Sequence, residues 1–274
     1  MEQKNLFIAI DAALRAGAEI LSIYNDPASD FEVERKADNS PLTIADRKAH
    51  EVIVAMLSQT PTPVLSEEGK HMDYAERKSW SERWIVDPLD GTKEFIKKNG
   101  EFTVNIALVR NGIPVLGVIY LPVKRRLYIG ADGIGAYKLG DITALEDTDT
   151  LQQLIARADK LPLPSSSERF VVVASRSHLS PETEEYIEQK RAQHGAVELI
   201  SSGSSIKICL VAEGVAQVYP RFAPTMEWDT AAGHAIARAA GMEVYHADGT
   251  HPLRYNKEDL LNPWFIVEKK RQNN

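Results

Sequence analysis

Cysteine is all but missing from this sequence. Cys209 is the only one in 274 residues, which excludes an intramolecular disulfide framework and a cysteine-rich zinc site. Its apolar surroundings, IKICLVAEG, mark it as core packing. Long apolar runs are missing too, since none approaches the roughly 18 residues of a membrane-spanning helix. The N-terminal MEQKNLFIAIDAAL has no basic region ahead of its apolar residues, so a cytoplasmic chain without integral membrane contact is expected. Positive charge is in short supply. With 32 Lys and Arg against 39 Asp and Glu, the net charge is −7, which argues against a nucleic acid polymer as partner, because such binding depends on neutralising phosphates. A small anion remains open as substrate where cations are concentrated locally. Internal repeats and low-complexity tracts are also absent.

What is present is an ordinary globular mixture, 43% apolar and 26% charged, on a chain long enough to bury a substantial core. Leu6, Ile10, Ala13, Leu14, Ile20, Leu21 and Tyr24 recur at helical spacing and predict a first helix of about five turns. A second helix is expected from Thr43 to about Ser58. Short strands follow at Val64-Leu65 and Trp84–Val86, and Asn111-Gly112 between two apolar runs is a strong hairpin signal. Residues 140–168 show no strand pattern and read as a linker, dividing the chain into 1–145 and 146–274. Strands and helices alternate in the second part, ending with a helix from about Thr230 to Ala240 that Gly241 stops. The expected class is α+β, with a large antiparallel sheet first and a smaller mixed sheet after it.

Residues 84–96 read WIVDPLDGTKEFI. An apolar strand runs into a tight turn and places Asp87 and Asp90 at its mouth, three residues apart. Two anions held that close repel unless a cation lies between them. Other acids also stand at element ends: Glu67 and Glu68 after the Val64-Leu65 strand, Asp46 early in the second helix, Asp229 ahead of a helix. Each has an ordinary explanation. Asp229 is a natural N-cap, and Thr43 with Asp46 resembles a capping box. Together they suggest a site, because layered α/β folds gather function at strand and helix ends. Carboxylates without a cysteine–histidine set favour a hard cation, Mg²⁺ before Zn²⁺. The turn also lets the Leu89 carbonyl face the same side as the two aspartates.

Three motifs in this order, SEE (66–68), DPLDGT (87–92) and WDTAAG (228–233), resemble the inositol monophosphatase-like superfamily of Mg²⁺-dependent, lithium-sensitive phosphatases. The resemblance spans nearly the whole chain. KADNSPLTIAD (36–46), VLSEE (64–68), DPLDGTKEFIKKNGEFTVNIAL (87–108), SRSH (175–178), GSSIKICLVAEG (203–214) and YPRF (219–222) look like its bisphosphate-nucleotidase branch. The fold this implies is a layered α/β/α/β/α sandwich. The implied activity is removal of the 3′-phosphate from adenosine 3′,5′-bisphosphate, in sulfur metabolism, by a monomer or homodimer using two or three Mg²⁺ ions. The sequence departs from the pattern at Gly69 and in the length of 140–168, and neither touches a proposed ligand.

The resemblance also assigns roles. Glu67, Asp87, the Leu89 carbonyl, Asp90 and Asp229 become metal ligands, with Asp87 shared between ions. Thr92 pairs with Asp46 to orient the attacking water, and Glu67 takes part in catalysis. Gly91 and Thr92 offer backbone N–H groups to the phosphate. Ser175, His178, Ser204, Lys207 and Arg221 join Glu67, Leu89, Asp90 and Asp229 around the substrate, the two cations taking the phosphate that does not react. The alternatives are an inositol monophosphatase or sugar bisphosphatase with the same chemistry, or a phosphonucleotide-binding module without catalysis. The joint presence of Asp46 and Thr92 weighs against the last, which needs no water-activating pair.

Overall fold

The computed structural model describes residues 2–31, 33–35, 41–164, 169–175 and 180–271. Helix α1 (Glu2–Tyr24) buries Leu6, Ile10, Leu14 and Ile20 along one stripe, as their spacing predicts. The two-residue strands β1 (Glu34–Arg35) and β2 (Pro41–Leu42) pair with each other ahead of α2 (Ile44–Leu57). Thr43 caps α2, and its box is closed by Asp46.

Strand β3 (Val64–Ser66) and helix α3 (Tyr74–Arg77) lead to β4 (Glu82–Asp90). The apolar run predicted a strand ending at Val86, but β4 continues through Pro88 to Asp90. A register shift between Asp87 and Asp90 makes this possible, because an irregularity in the ladder accommodates a proline without N–H. After α4 (Thr92–Ile96) come β5 (Thr103–Arg110) and β6 (Ile113–Leu121). Their turn is the expected one, Asn111 and Gly112 both taking positive φ, 50° and 75°.

Strands β7 (Arg126–Ala131) and β8 (Gly135–Leu139) extend the antiparallel set. The stretch read as a linker holds more structure than its pattern suggested. It contains α5 (Leu151–Ala156), opened by a Thr150–Gln153 capping box, and β9 (Asp159–Lys160), which pairs with β8. Leu151 and Leu154 pack into the core beside α1. The first sheet thus has seven strands in sequence order, antiparallel except for β3 beside β4.

The second sheet comprises β10 (Phe170–Ser175), β11 (Val197–Ser202), β12 (Val218–Arg221), β13 (Met242–His246) and β14 (Phe265–Lys269). Its order is β11-β10-β12-β14-β13, mixed parallel and antiparallel. Helix α6 (Pro181–His194) covers one face, while α7 (Ile206–Glu213) and α8 (Glu227–Ala239) lie between the two sheets. Period-two alternation explains the layering. On β5, Val104, Ile106 and Leu108 face the α1–α2 core, while Ala107 and Val109 face α7 and α8.

The seat of α8 requires small residues. A Cβ at Gly117 would lie 2.2 Å from the Ala232 carbonyl oxygen, and one at Gly130 would lie 2.6 Å from the Ile236 Cα. Only glycine lets the helix backbone come this close to β6 and β7.

Candidate active site

The two halves of the site arrive from different layers. Strand β4 delivers Asp87 and Asp90 at its irregular end, and the first turn of α8 delivers Asp229. One carboxylate oxygen from each lies within 4.8 Å of the others. Glu67 follows β3, its N–H donating to the Val86 carbonyl at 3.1 Å, and its side chain hydrogen-bonds Asp87. The structure therefore brings together all four carboxylates that the motifs single out as ligands.

Each carboxylate is held by the backbone around it. The Leu89 N–H donates to Asp87 Oδ1 at 3.1 Å, folding the turn back on itself. Asp229 is not the N-cap that the sequence suggested: α8 starts three residues earlier than expected, Met226 is the N-cap, and Asp229 at the third helical position accepts on Oδ2 from the Met226 N–H at 2.8 Å, so it closes the cap from inside the helix and still joins the cluster. Asp90 Oδ2 accepts from the Ser205 N–H at 2.6 Å, which ties the end of β4 to the start of α7. Burial pushes the Asp87 carboxyl well up, and the charges of Glu67, Asp90 and Asp229 push it further. Asp229 is raised well above its ordinary value by the same two causes, burial first and Asp90 next.

Such a cluster is costly without positive charge inside it. All the donors are oxygens, and among the described residues no histidine or cysteine joins the group. This donor set fits a hard divalent cation, with the Leu89 carbonyl available beside the carboxylates.

Next to the cluster stands the pair expected to act on water. Asp46, almost completely buried, accepts on Oδ2 from the Thr43 N–H at 2.8 Å and from the Thr43 hydroxyl. Its other oxygen, Oδ1, accepts from Thr92 Oγ1 at 3.1 Å. The Thr92 hydroxyl also lies 3.3 Å from the Leu89 carbonyl. Burial raises the Asp46 carboxyl, while the Thr43 and Thr92 hydrogen bonds pull it back. Asp46 is thus both the closing residue of a helix cap and the partner of Thr92.

Beside Asp90 and Asp229 opens a cavity of about 360 Å³, lined also by Gly91, Ser204, Lys207 and Arg221. Lys207 does not snorkel to solvent. It is 5% exposed, donates to the Ser202 carbonyl at 3.3 Å and to that of Ser204, and sits 5.6 Å from the Tyr219 ring centre. Burial pushes its ammonium down to about 8, against the opposing pull of Asp90. Arg221 donates through Nη2 to the Pro224 carbonyl at 3.1 Å, while its buried Nε has no partner among the described residues. Ser175 ends β10; its side chain and His178 lie outside the described residues.

Several cavity residues were not singled out in the sequence. Lys93 and Lys97 line it from the α4 segment, four residues apart, and Tyr219 from β12. Thr103, Asn105 and Ser205 form a buried polar group behind Asp90. A signal for two of them existed. Thr103 and Asn105 are polar residues two apart at the start of an otherwise apolar strand, paired in register with Asp90 and Asp87.

Comparison with known proteins agrees with this geometry. The family model for the inositol monophosphatase family matches residues 1–274. A relative named 3′(2′),5′-bisphosphate nucleotidase CysQ, from Escherichia coli K12, is 48% identical over 258 residues, covering 93% of this chain and 96% of the relative. The crystal structure of CysQ from Bacteroides thetaiotaomicron is 71% identical and superposes with a TM-score of 0.93, covering 98% of each chain. An inositol monophosphatase from Anabaena superposes with a TM-score of 0.67 at 25% identity, covering 97% of this chain and 90% of its own.

Proposed function

From the premise that the chain belongs to the inositol monophosphatase family, we propose that it is a Mg²⁺-dependent 3′(2′),5′-bisphosphate nucleotidase. Its substrate is adenosine 3′,5′-bisphosphate, which it hydrolyses to AMP and phosphate, in the sulfur metabolism that generates this nucleotide. The observation that carries the reading is one cavity lined by both signs of charge, the carboxylates of Asp90 and Asp229 together with the cations Lys207 and Arg221. A monophosphate needs only the carboxylates and the ions they hold. A bisphosphate needs the cations as well, because its second phosphate would otherwise be desolvated against acidic surroundings.

Glu67, Asp87, the Leu89 carbonyl, Asp90 and Asp229 would hold two or three Mg²⁺ ions. When bound, these ions supply positive charge against the phosphoryl group and polarise water toward attack. The chain's own residues do the rest. Because the Thr92 hydroxyl donates its proton to Asp46, its lone pairs are free to accept from a water and fix its direction. Asp46, whose carboxyl is raised by burial, receives the proton relayed through Thr92 Oγ1. Gly91 and Thr92, at the start of α4, offer backbone N–H groups to the reacting phosphate. Arg221 presents its Nε, which has no partner among the described residues, to the phosphate that stays, where a guanidinium grips oxygens at two points.

The test is a phosphate-release assay with adenosine 3′,5′-bisphosphate, 3′-AMP and inositol 1-phosphate, with and without Mg²⁺. The bisphosphate is expected to be the best substrate, and Asp87→Asn to abolish turnover. Arg221→Ala should lower kcat/KM for the bisphosphate about 10- to 150-fold, the value of a lost charge-assisted hydrogen bond, and spare the monophosphates. Equal losses on all three substrates would remove the second-phosphate role. Metal-independent turnover would remove the cluster's.

A further inference from the structure

The first turn of α8 carries Asp229, and a buried chain of hydrogen bonds fastens that turn to the segment between β13 and β14. The chain begins at Glu243, whose Oε1 lies 2.5 Å from His234 Nε2. His234 Nδ1 is 3.0 Å from the Tyr255 hydroxyl, which is 3.2 Å from Thr230 Oγ1. Thr230 Oγ1 is 3.0 Å from Asn262 Nδ2, and the same nitrogen is 2.7 Å from the Met226 carbonyl. All five side chains are at most 5% exposed.

The protons of this chain balance. Burial pushes the His234 imidazole down, so its one proton, on Nε2, serves the Glu243 carboxylate and Nδ1 accepts from Tyr255. Tyr255 then accepts from Thr230, Thr230 from one Asn262 proton, and the Met226 carbonyl from the other, so that five protons fill five contacts. Two longer contacts, both 3.3 Å, run from Asn262 Nδ2 to Thr225 Oγ1 and from Thr230 Oγ1 to the Glu227 carbonyl, and take at most a share of these protons.

Asn262 cannot be turned round. Its Oδ1 is buried and has no partner among the described residues, yet a flip would set that oxygen against the Met226 carbonyl at 2.7 Å, lone pair against lone pair. The amide therefore holds Met226 with its nitrogen while its oxygen goes unpaired, which is costly in a buried place. A leucine of similar size would fill the space without that cost. What Met226 does supplies the reason for an amide. Its N–H donates to Asp229 Oδ2 at 2.8 Å, which fixes the rotation of that carboxylate, and its carbonyl is the group that Asn262 grips.

We infer that Asn262 is a positioning residue for Asp229, and that the chain running from it through Tyr255 to Glu243 sets how tightly the carboxylate cluster holds a divalent cation. Asn262 and Tyr255 are buried behind the cavity wall to which Thr225, Asp229 and Thr230 belong, so they act through Asp229. Partners that orient a ligand in this way govern affinity nearly as strongly as the ligand itself. The inference rests on the metal-dependent reading of the cluster and names the residues that tune it.

Calorimetric titration with Mn²⁺ alone, without substrate, is the test. Asn262→Leu is expected to weaken Mn²⁺ binding about 10-fold or more, the usual loss when a ligand's orienting partner is removed. Its kcat at saturating Mg²⁺ should be retained, since an occupied site itself holds Asp229. Tyr255→Phe deletes only the hydroxyl in the middle of the chain and should weaken binding about 2- to 10-fold, the value of one neutral hydrogen bond. Ile20→Ala, a core truncation on the far side of the first sheet, is the control: it lowers the melting temperature and leaves Mn²⁺ binding unchanged.

If Asn262→Leu does not fold, Tyr255→Phe carries the test alone. The inference is overturned if either folded variant binds Mn²⁺ as the wild type does, if Ile20→Ala weakens binding as much, or if kcat at saturating Mg²⁺ falls in step with affinity. A wild type that binds no Mn²⁺ would remove the metal reading itself. Mn²⁺ binding without turnover of adenosine 3′,5′-bisphosphate would remove the nucleotidase reading and leave this inference standing.

Discussion

Lys207 illustrates what a single residue contributes. Its ammonium is buried and titrates near 8, with Asp90, Glu94 and Glu101 favouring the charged form and Arg221 opposing it. Free of substrate, the folded chain releases this proton before the unfolded chain does. Burial of the charge therefore weakens the fold below about pH 8, and stability recovers as pH rises from there toward the ordinary lysine value. Substrate binding runs the other way, because a phosphate favours the protonated lysine. KM for adenosine 3′,5′-bisphosphate is expected to climb between pH 7 and 9, while KM for 3′-AMP stays level over the same range. A parallel rise for both substrates would take Lys207 away from the second phosphate.

At the scale of an element, the start of α2 does two jobs through one carboxylate. Asp46 Oδ2 closes the capping box with Thr43, and Oδ1 holds Thr92. The jobs should separate by mutation. Thr43→Val removes the cap and is expected to cost about 1 kcal/mol of stability. Thr92→Val leaves the cap intact and should lower kcat much more than it raises KM, at unchanged melting temperature. Thermal melting with steady-state kinetics on both variants checks this. A large fall in melting temperature for Thr92→Val would make the threonine a structural residue.

The same scale shows what could be read in the sequence. Asp87, Asp90 and Asp229 stood out because acids at the ends of apolar runs are informative without any structure. The hairpin at Asn111-Gly112 was legible for its turn chemistry. Strand β4 was read short, since Pro88 argues for an ending and the irregular register that absorbs it depends on β5. Helix α5 went unseen although Thr150 and Gln153 carry a capping-box spacing, because only six residues follow it. Thr103 and Asn105 look like ordinary strand residues until their register against Asp90 is known. Lys93 and Lys97 meet the cavity through the placement of a short helix that no periodicity reveals.

Across the whole molecule, the cluster depends on how α8 sits between the sheets. Asp229 reaches Asp87 and Asp90 only if that helix lies directly on β6 and β7, which Gly117 and Gly130 permit. Gly117→Ala places a methyl group against the Ala232 carbonyl and should cost roughly 1–3 kcal/mol or more, as overpacking does. Because the helix must lift, the Mg²⁺ concentration for half-maximal activity should rise several-fold as well. Ile20→Ala, on the opposite face of the first sheet, should cost about 2–5 kcal/mol and leave the Mg²⁺ requirement where it was. Equal Mg²⁺ curves for Gly117→Ala and wild type would show that α8 shifts without carrying Asp229.

That glycine-floored seat also has a history during synthesis. The strands of the first sheet are complete once β9 has emerged, yet the helix that covers Ala107, Ile119 and Tyr128 begins only at Glu227. At ~5–20 residues per second the nascent sheet waits several seconds with an uncovered apolar trough. A chain broken off in that interval is not half an enzyme but a sticky surface, and its clearance falls to chaperones and proteases.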